Sequence, residues 1–177
     1  YEMVDGLVGS EMFIRDRGIY LLNELNTKKK DIELKTGKKI KIVALSARNI
    51  NKKRQFKINK KIFFKNSLEI FNSSKVDILF EAIGFSDGIS KKIVETALKK
   101  KIHVITPNKA LISKHGNELA KIAENNNVNL EFEASVAGGI PILRSIKEGL
   151  ATNKILKVYG ILNGTSNYIL SEMENSN

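Results

Sequence analysis

Cysteine is absent from the chain, and only two histidines and two prolines occur in its 177 residues. Without cysteine there can be no disulfide, no thiolate nucleophile and no Cys-based zinc site, and two histidines leave little for a His-rich metal centre. Redox chemistry, if the protein performs any, must come from an organic cofactor. Long hydrophobic runs are also missing: nothing approaches the roughly 18 apolar residues that a membrane span needs. The amino terminus lacks the basic stretch followed by an apolar one that marks a signal peptide. These absences lead to the expectation of a soluble cytoplasmic protein with no membrane partner.

What is present is ordinary globular material. At 42% hydrophobic content, a chain of this length can bury one full core, so one domain with the start of a second is expected. Thirty Lys and Arg against nineteen Asp and Glu give a net charge of +11, which raises the question of a nucleic-acid partner. The lysines are scattered over many expected surfaces, from Lys28 to Lys101, and aromatic residues are not interleaved with them as a base-stacking surface requires. A solvated lysine-rich exterior is the expectation, with no nucleic acid.

From residue 40 onward, short β-branched runs alternate with amphipathic stretches, the pattern of βαβ units around a parallel sheet. Strands are expected at residues 40–45, 76–82, 103–106, 129–133 and 155–161. Between them, residues 88–100 carry Ile89, Ile93, Val94, Ala97 and Leu98 at helical spacing, with Lys91, Lys92, Lys99 and Lys100 on the wet face. Residues 108–125 repeat the pattern behind an Asn108 cap. Pro107 and Pro141 mark strand-to-helix junctions, where proline is tolerated. The fold class is therefore α/β with a doubly wound, mainly parallel sheet. In such sheets ligands bind beyond the carboxyl ends of the strands, which places the loops around Ser46, Gly84, Thr106 and Ser135 along one crevice. Residues 49–61, rich in Lys and Asn, read as an exposed loop.

Four loops carry candidate chemistry. Arg48, just past the strand ending at Leu45, stands where an arginine fits a ribose 2′-phosphate and a carboxylate would bind the 2′-hydroxyl; an exposed arginine at a strand end is the alternative. In residues 81–88 (EAIGFSDG), small residues let backbone amides approach a nicotinamide ribose or a phosphate, or simply form a tight turn. Thr106-Pro107-Asn108-Lys109 sets a lysine just inside a helix start, where it can polarise a carbonyl or pass a proton. Residues 131–141 (EFEASVAGGIP) can expose carbonyls to a hard cation or amides to an anion. His103 and His115 read as structural.

The order and wording of these loops resemble homoserine dehydrogenase. The stretches are 42–49 (IVALSARN), 77–88 (DILFEAIGFSDG), 103–116 (HVITPNKALISKHG), 132–141 (FEASVAGGIP) and 159–170 (YGILNGTSNYIL). The resemblance implies a Rossmann-like fold and an oxidoreductase acting on a CH–OH group, which interconverts aspartate semialdehyde and homoserine in threonine and methionine biosynthesis. It implies NADP, or NAD, as cofactor, with Arg48 leaning towards NADP. It assigns Lys109 to proton transfer and to the nicotinamide end of the cofactor. Gly84, Phe85, Ser86 and Thr106 join Arg48 as cofactor-binding positions. Glu133, Val136, Gly138 and Ile140 match the positions that hold a monovalent cation, typically sodium, mainly through main-chain oxygens. Gly164 and Thr165 look like the family's turn at the entrance to a domain that binds the small-molecule substrate and builds a homodimer.

Departures from the family pattern sit at both ends. The glycine loop that should follow a first strand has only Gly6, Gly9 and Gly18 as candidates, with Phe13 and Arg15 where glycines are wanted if Gly18 opens the first helix. The wording GSEMFIRDR resembles translated adaptor sequence, so residues 1–17 are read as a doubtful, non-native segment, 18–150 as the dinucleotide-binding domain and 151–177 as the start of the substrate and dimerisation domain. The second catalytic lysine and the substrate carboxylates of the family are not among these residues, and the expectation is a fragment inactive by itself. The alternatives are another Rossmann-fold amino-acid oxidoreductase, or a non-catalytic nucleotide- or nucleic-acid-binding module. An aspartate-semialdehyde enzyme is disfavoured because it needs a cysteine nucleophile.

Overall fold

A computed structural model of the protein describes residues 2–6, 14–47, 60–73, 75–160 and 164–175. It divides into two compact units, Tyr1–Leu143 and Arg144–Asn177.

The first unit is built on a six-stranded parallel sheet. Its strands are β1 (Glu2–Gly6), β2 (Lys41–Ser46), β3 (Phe63–Phe64), β4 (Ile78–Glu81), β5 (His103–Ile105) and β6 (Leu130–Glu131), in the spatial order 3-2-1-4-5-6. This is the doubly wound α/β fold read from the sequence, with the order of a Rossmann dinucleotide-binding sheet. The order reverses between β1 and β4, so their carboxyl ends, Gly6 and Glu81, flank the natural ligand crevice.

Two strands escape the sequence pattern. β3 is two residues long and pairs Phe63 and Phe64 with Leu45 and Ser46, too short for any periodicity to show. β1 lies within the segment read as non-native, and its backbone pairs with β2 on one side and β4 on the other. A central parallel strand usually reads as a near-continuous apolar run; EMVDG does not. The ladder that places it uses backbone groups that any residue except proline supplies.

Helices cover the sheet where the apolar spacing places them. The first, α1 (Ile14–Thr27), begins before Gly18, which lies buried inside it rather than opening it. A shorter α2 (Lys29–Thr36) follows, and α3 (Ile70–Ser73) precedes β4. On α4 (Ile89–Lys99), Ser90, Ile93, Val94, Ala97 and Leu98 are buried, a stripe at i, i+3, i+4, i+7 and i+8. On α5 (Lys109–Asn125), Leu111, Leu119 and Ala123 are buried, and the Asn108 side chain accepts the Leu111 N–H at 3.1 Å, the expected N-cap. These faces join Leu79 and Val104 of the sheet, and Ile83 of the turn after β4, in one core.

Helices α4 and α5 leave by the same device. The Ile102 N–H returns to the Ala97 carbonyl at 2.9 Å and the Lys101 N–H to that of Leu98 at 3.1 Å; Val128 and Asn127 do the same towards Ala123 and Glu124. Lys101 and Asn127 take φ of 60° and 53°. This is the left-handed residue of a Schellman ending.

Beyond β6 the expected strand over 129–133 is cut short, because Phe132 begins a helical turn, α6 (Glu133–Val136). Pro141 therefore follows a turn rather than a strand, ahead of α7 (Ile142–Arg144). In the second unit, residues 145–149 form a π-helical turn with the Arg144 guanidinium 2.9 Å from Glu148, and α8 spans Gly164–Asn175. The strand expected at 155–161 does not form over residues 154–160, which have no regular structure, and Leu156, Val158 and Tyr159 are exposed. β-Branched alternation expresses fitness for a sheet, but a strand needs a neighbouring edge to pair with. His103 is structural as read: its Nδ1 accepts the Asn129 N–H at 3.0 Å.

An exposed ion cluster ties the loop after β4, and α4 itself, to α5. Asp87 accepts from Lys114 Nζ at 2.7 Å and pairs with His115 Nε2 at 2.9 Å, while Lys91 meets Glu118 at 2.8 Å. The hydrogen bond from Lys114, then those from Ser86 and His115, hold the Asp87 carboxyl well below the usual carboxylate range. Lys91 lowers Glu118 in the same sense. A carboxyl depressed in the folded state stabilises it above the unfolded value, about pH 4, and that contribution disappears as pH falls. We expect the thermal midpoint (circular dichroism) to drop as pH falls below about 4, towards the depressed range of the folded carboxyl, and Asp87→Asn, already lacking the charge, to drop by less over the same range. An identical drop for the variant would remove Asp87 from the acid response. Solvent screening keeps the effect small.

Candidate functional site

The crevice at the carboxyl ends of the strands is organised around Glu81, the last residue of β4. Its side chain is fully buried, which is tolerable only if its oxygens are satisfied. Oε1 accepts the Ile83 N–H at 2.5 Å, with longer contacts to the Gly84 N–H at 3.3 Å, Ser90 Oγ at 3.3 Å and Asn108 Nδ2 at 3.4 Å. Oε2 accepts from Thr106 Oγ1 at 2.5 Å. Every contact uses the carboxyl as acceptor. The sequence reading passed over this role. Its one visible signal was an acidic residue ending an otherwise apolar strand, ILFE, directly before small residues.

The partners of Glu81 are themselves cross-linked. Thr106 Oγ1 also accepts the Asn108 N–H at 3.1 Å, and Asn108 Nδ2 donates to the Phe85 carbonyl at 2.9 Å. Thr106 and Asn108 are buried, at 1% and 3% exposure. Two turns that follow different strands, residues 82–88 after β4 and 106–108 after β5, are thus joined through one carboxyl and one amide.

The chemistry the first turn can offer follows from this. The Ile83 and Gly84 amides turn inward to the protein's own carboxyl, so they are not directed at a phosphate. Gly84 sits at φ 95°, a conformation that side chains rarely adopt. Phe85 is exposed, and Ser86 Oγ donates to Asp87 Oδ2 at 2.7 Å. The outward surface of the turn is therefore Phe85 and Ser86. Thr106 presents its hydroxyl to Glu81 rather than outward. Lys109, the first residue of α5, is exposed directly after the Asn108 cap. The structure thus brings Gly84, Phe85, Ser86, Thr106 and Lys109 to one end of the sheet.

Towards β2, Ser46 is buried and its hydroxyl has no hydrogen-bond partner among the described residues. Buried hydroxyls are rarely left so, and this one ends the strand next to the crevice. Arg48 lies outside the described residues.

The turn at 133–140 is held by its own ends. The Glu133 carboxyl accepts the Leu143 N–H at 2.8 Å, the Glu133 carbonyl accepts the Ala137 N–H at 3.2 Å, and the Ile140 carbonyl accepts the Ile142 N–H at 2.8 Å. Gly139 lies at φ 83° with open space around it. Val136, Gly138 and Ile140 are exposed. Among the described residues no group of three or more acidic or histidine side chains could hold a metal, so donors at this turn are main-chain oxygens with one carboxylate. Each carbonyl oxygen keeps a second lone pair, and such a set fits a hard cation.

Comparison with known proteins falls on this same ground. The family described as "Homoserine dehydrogenase, NAD binding domain" matches residues 18–133, and "Homoserine dehydrogenase" matches residues 141–177. The homoserine dehydrogenase of Neisseria gonorrhoeae is 41% identical over 143 residues, 81% of this chain and 32% of the relative; that of Bacillus subtilis is 38% identical over 134 residues, 76% and 31%. The chain thus spans about a third of the length of these relatives. Among solved structures, a homoserine dehydrogenase from Thiobacillus denitrificans superposes with a TM-score of 0.79 at 34% identity, over 99% of this chain and 39% of that one. The enzyme from S. aureus at pH 6.5 gives 0.70 at 34% identity, over 98% and 40%. With a family match over most of its length and these relatives on the same fold, the chain belongs to the homoserine dehydrogenase family.

Proposed function

We propose that this chain is the cofactor-binding part of an enzyme that interconverts L-homoserine and L-aspartate 4-semialdehyde with NADP, or NAD, and that residues 18–150 form its dinucleotide-binding domain. The observation that carries this reading is the linked pair of turns, which sets the exposed Lys109 helix start beside Gly84, Phe85 and Ser86, next to the switch point of a parallel sheet. The nicotinamide, when bound, supplies the hydride exchange with the alcohol carbon. The protein's part is orientation and proton handling: Gly84, Phe85, Ser86 and the backbone at Thr106 hold the nicotinamide end, and Lys109 moves the proton at the substrate oxygen. The unpartnered Ser46 hydroxyl supports nucleotide binding at the β2 end, where Arg48 would meet a 2′-phosphate. Residues 151–177 open a substrate and dimerisation domain, and the full-length enzyme is a cytoplasmic homodimer acting on a small molecule. Sedimentation of the full-length protein as a monomer would refute the dimer.

The decisive experiment is absorbance of reduced cofactor with homoserine as substrate, using a full-length protein that carries this chain. Turnover is expected, and Lys109→Ala should lower kcat by about a hundredfold while weakening cofactor affinity much less. No homoserine-dependent reduction would overturn the activity; an unimpaired variant would remove Lys109 from it.

Cofactor choice is tested separately. Arg48→Ala should lower kcat/KM for NADP by about tenfold, with NAD nearly unchanged, because only the 2′-phosphate loses a charge-assisted partner. An unchanged ratio of the two cofactors would refute the role of Arg48.

Main-chain oxygens of Glu133, Val136, Gly138 and Ile140, with the Glu133 side chain nearby, would hold sodium or potassium. Activity should then rise with either cation. Val136→Ala should alter that dependence little, whereas a glycine inserted after Gly138 should abolish it. Indifference of the wild type to both cations, or cation dependence that survives the insertion, would exclude this turn.

A further inference from the structure

Glu81 lies beneath the crevice with no route to a ligand: it is fully buried and every contact it makes is internal. Even with its oxygens satisfied, a carboxyl placed so deeply is seldom more stabilising than an apolar side chain of the same size, but it can tie donors together where an apolar side chain cannot. What it does is visible where the sheet ends. The ladder between β4 and β5 stops at Phe80 and Ile105, so sheet pairing does not govern the spacing of the turns that follow. Beyond that point Glu81 takes over, with one oxygen on the Ile83 amide and the other on the Thr106 hydroxyl, each at 2.5 Å. Thr106 in turn receives the Asn108 N–H, and Asn108 caps the helix whose first residue is Lys109.

We propose that Glu81 is a positioning residue that sets the separation between the 83–86 turn and the Lys109 helix start, and through it where Lys109 stands against a cofactor held on that turn. The proposal rests on the reading of these two turns as the nicotinamide end of the site. An apolar replacement would fill the space but strand the Ile83 amide and the Thr106 hydroxyl, each of which would then seek another partner and pull its turn with it. Glutamine fills the same volume but has one acceptor oxygen, so its NH2 group must face either the Ile83 amide or the Thr106 hydroxyl. Facing Ile83, the NH2 group breaks that tie; facing Thr106, it donates to the hydroxyl, whose own proton then loses its acceptor, so the Thr106 tie is reversed and the hydroxyl proton is left unpaired.

The test uses the full-length protein with Glu81→Gln, and with Thr106→Val, which removes the same tie from the other side while leaving Glu81 on the Ile83 amide. Two signals are read per folded site: kcat with homoserine, and the fluorescence of bound NADPH, which reports the surroundings of the nicotinamide without any turnover. Glu81→Gln should lower kcat by about tenfold to a hundredfold, change the emission of bound NADPH, and leave NADPH affinity and homoserine KM nearly as they were. Thr106→Val should do the same, and the double variant should lose much less than the product of the two single losses, because both remove one link. Wild-type kcat and emission in both variants, or a lowered thermal midpoint with unchanged kcat, would overturn the proposal and leave Glu81 a structural residue. If Glu81→Gln does not fold, Thr106→Val decides by the same criteria. A wild-type protein that binds NADPH but does not turn over homoserine would sink the proposed activity alone, since the emission change still reads Glu81.

Discussion

A carboxyl buried beneath two turns is the constraint on which the rest of this crevice depends. Parallel strands end in a row of carbonyls and leave the connecting turns to find their own support. Here the support after β4 and β5 is a single side chain that takes donors from both turns, with the Asn108 amide bridging them again through the Phe85 carbonyl. Low local dielectric strengthens such a network when every member is satisfied and makes any missing partner costly. The arrangement is therefore stiff, and that stiffness fixes the helix start on which the exposed Lys109 is carried.

The same carboxyl divides the labour along the crevice. By taking the Ile83 and Gly84 amides, Glu81 acts as the anion that this turn would otherwise attract. The turn is left with an aromatic ring and a hydroxyl on its outer side, a surface suited to a neutral, planar group. Anion binding must then be supplied elsewhere in the chain. The surface ion pairs have a different part: Asp87 with Lys114 and His115 fastens the outer end of the same loop to the middle of α5, so the loop is held from beneath by a buried carboxyl and from outside by a screened one.

Much of this was legible in the sequence because it rests on local patterns. The spacing of Ile93, Val94, Ala97 and Leu98 marked α4, Asn108 marked the start of α5, and the β-branched runs at 41–46, 78–81 and 103–105 marked strands within a residue or two. What stayed hidden depends on long-range pairing. β3 exists because Leu45 and Ser46 offer an edge; β1 is recognised by its two neighbours and not by EMVDG; residues 154–160 have the composition of a strand but pair with no strand among the described residues. The candidate site divides the same way. Lys109 and the Gly84 turn stood out by residue type and place, whereas Glu81 looked like the end of a strand until Thr106 and Asn108, far along the chain, were brought to it.

The two matching helix exits carry a consequence for how the sheet keeps its alignment. Ala97 closes one exit and Ala123 the other, and the distance along the chain from Ala97 to Val104 equals that from Ala123 to Leu130, residues that face each other across β5 and β6. The pair of connections therefore works as a matched gauge: each delivers its strand to the sheet in the same phase, and the two strands meet with buried side chains opposite one another. Adding a single residue to either connection would turn a whole strand over, so length here is as tightly held as composition is free. Lys101 and Asn127, neither a glycine, both accept a left-handed backbone to keep it.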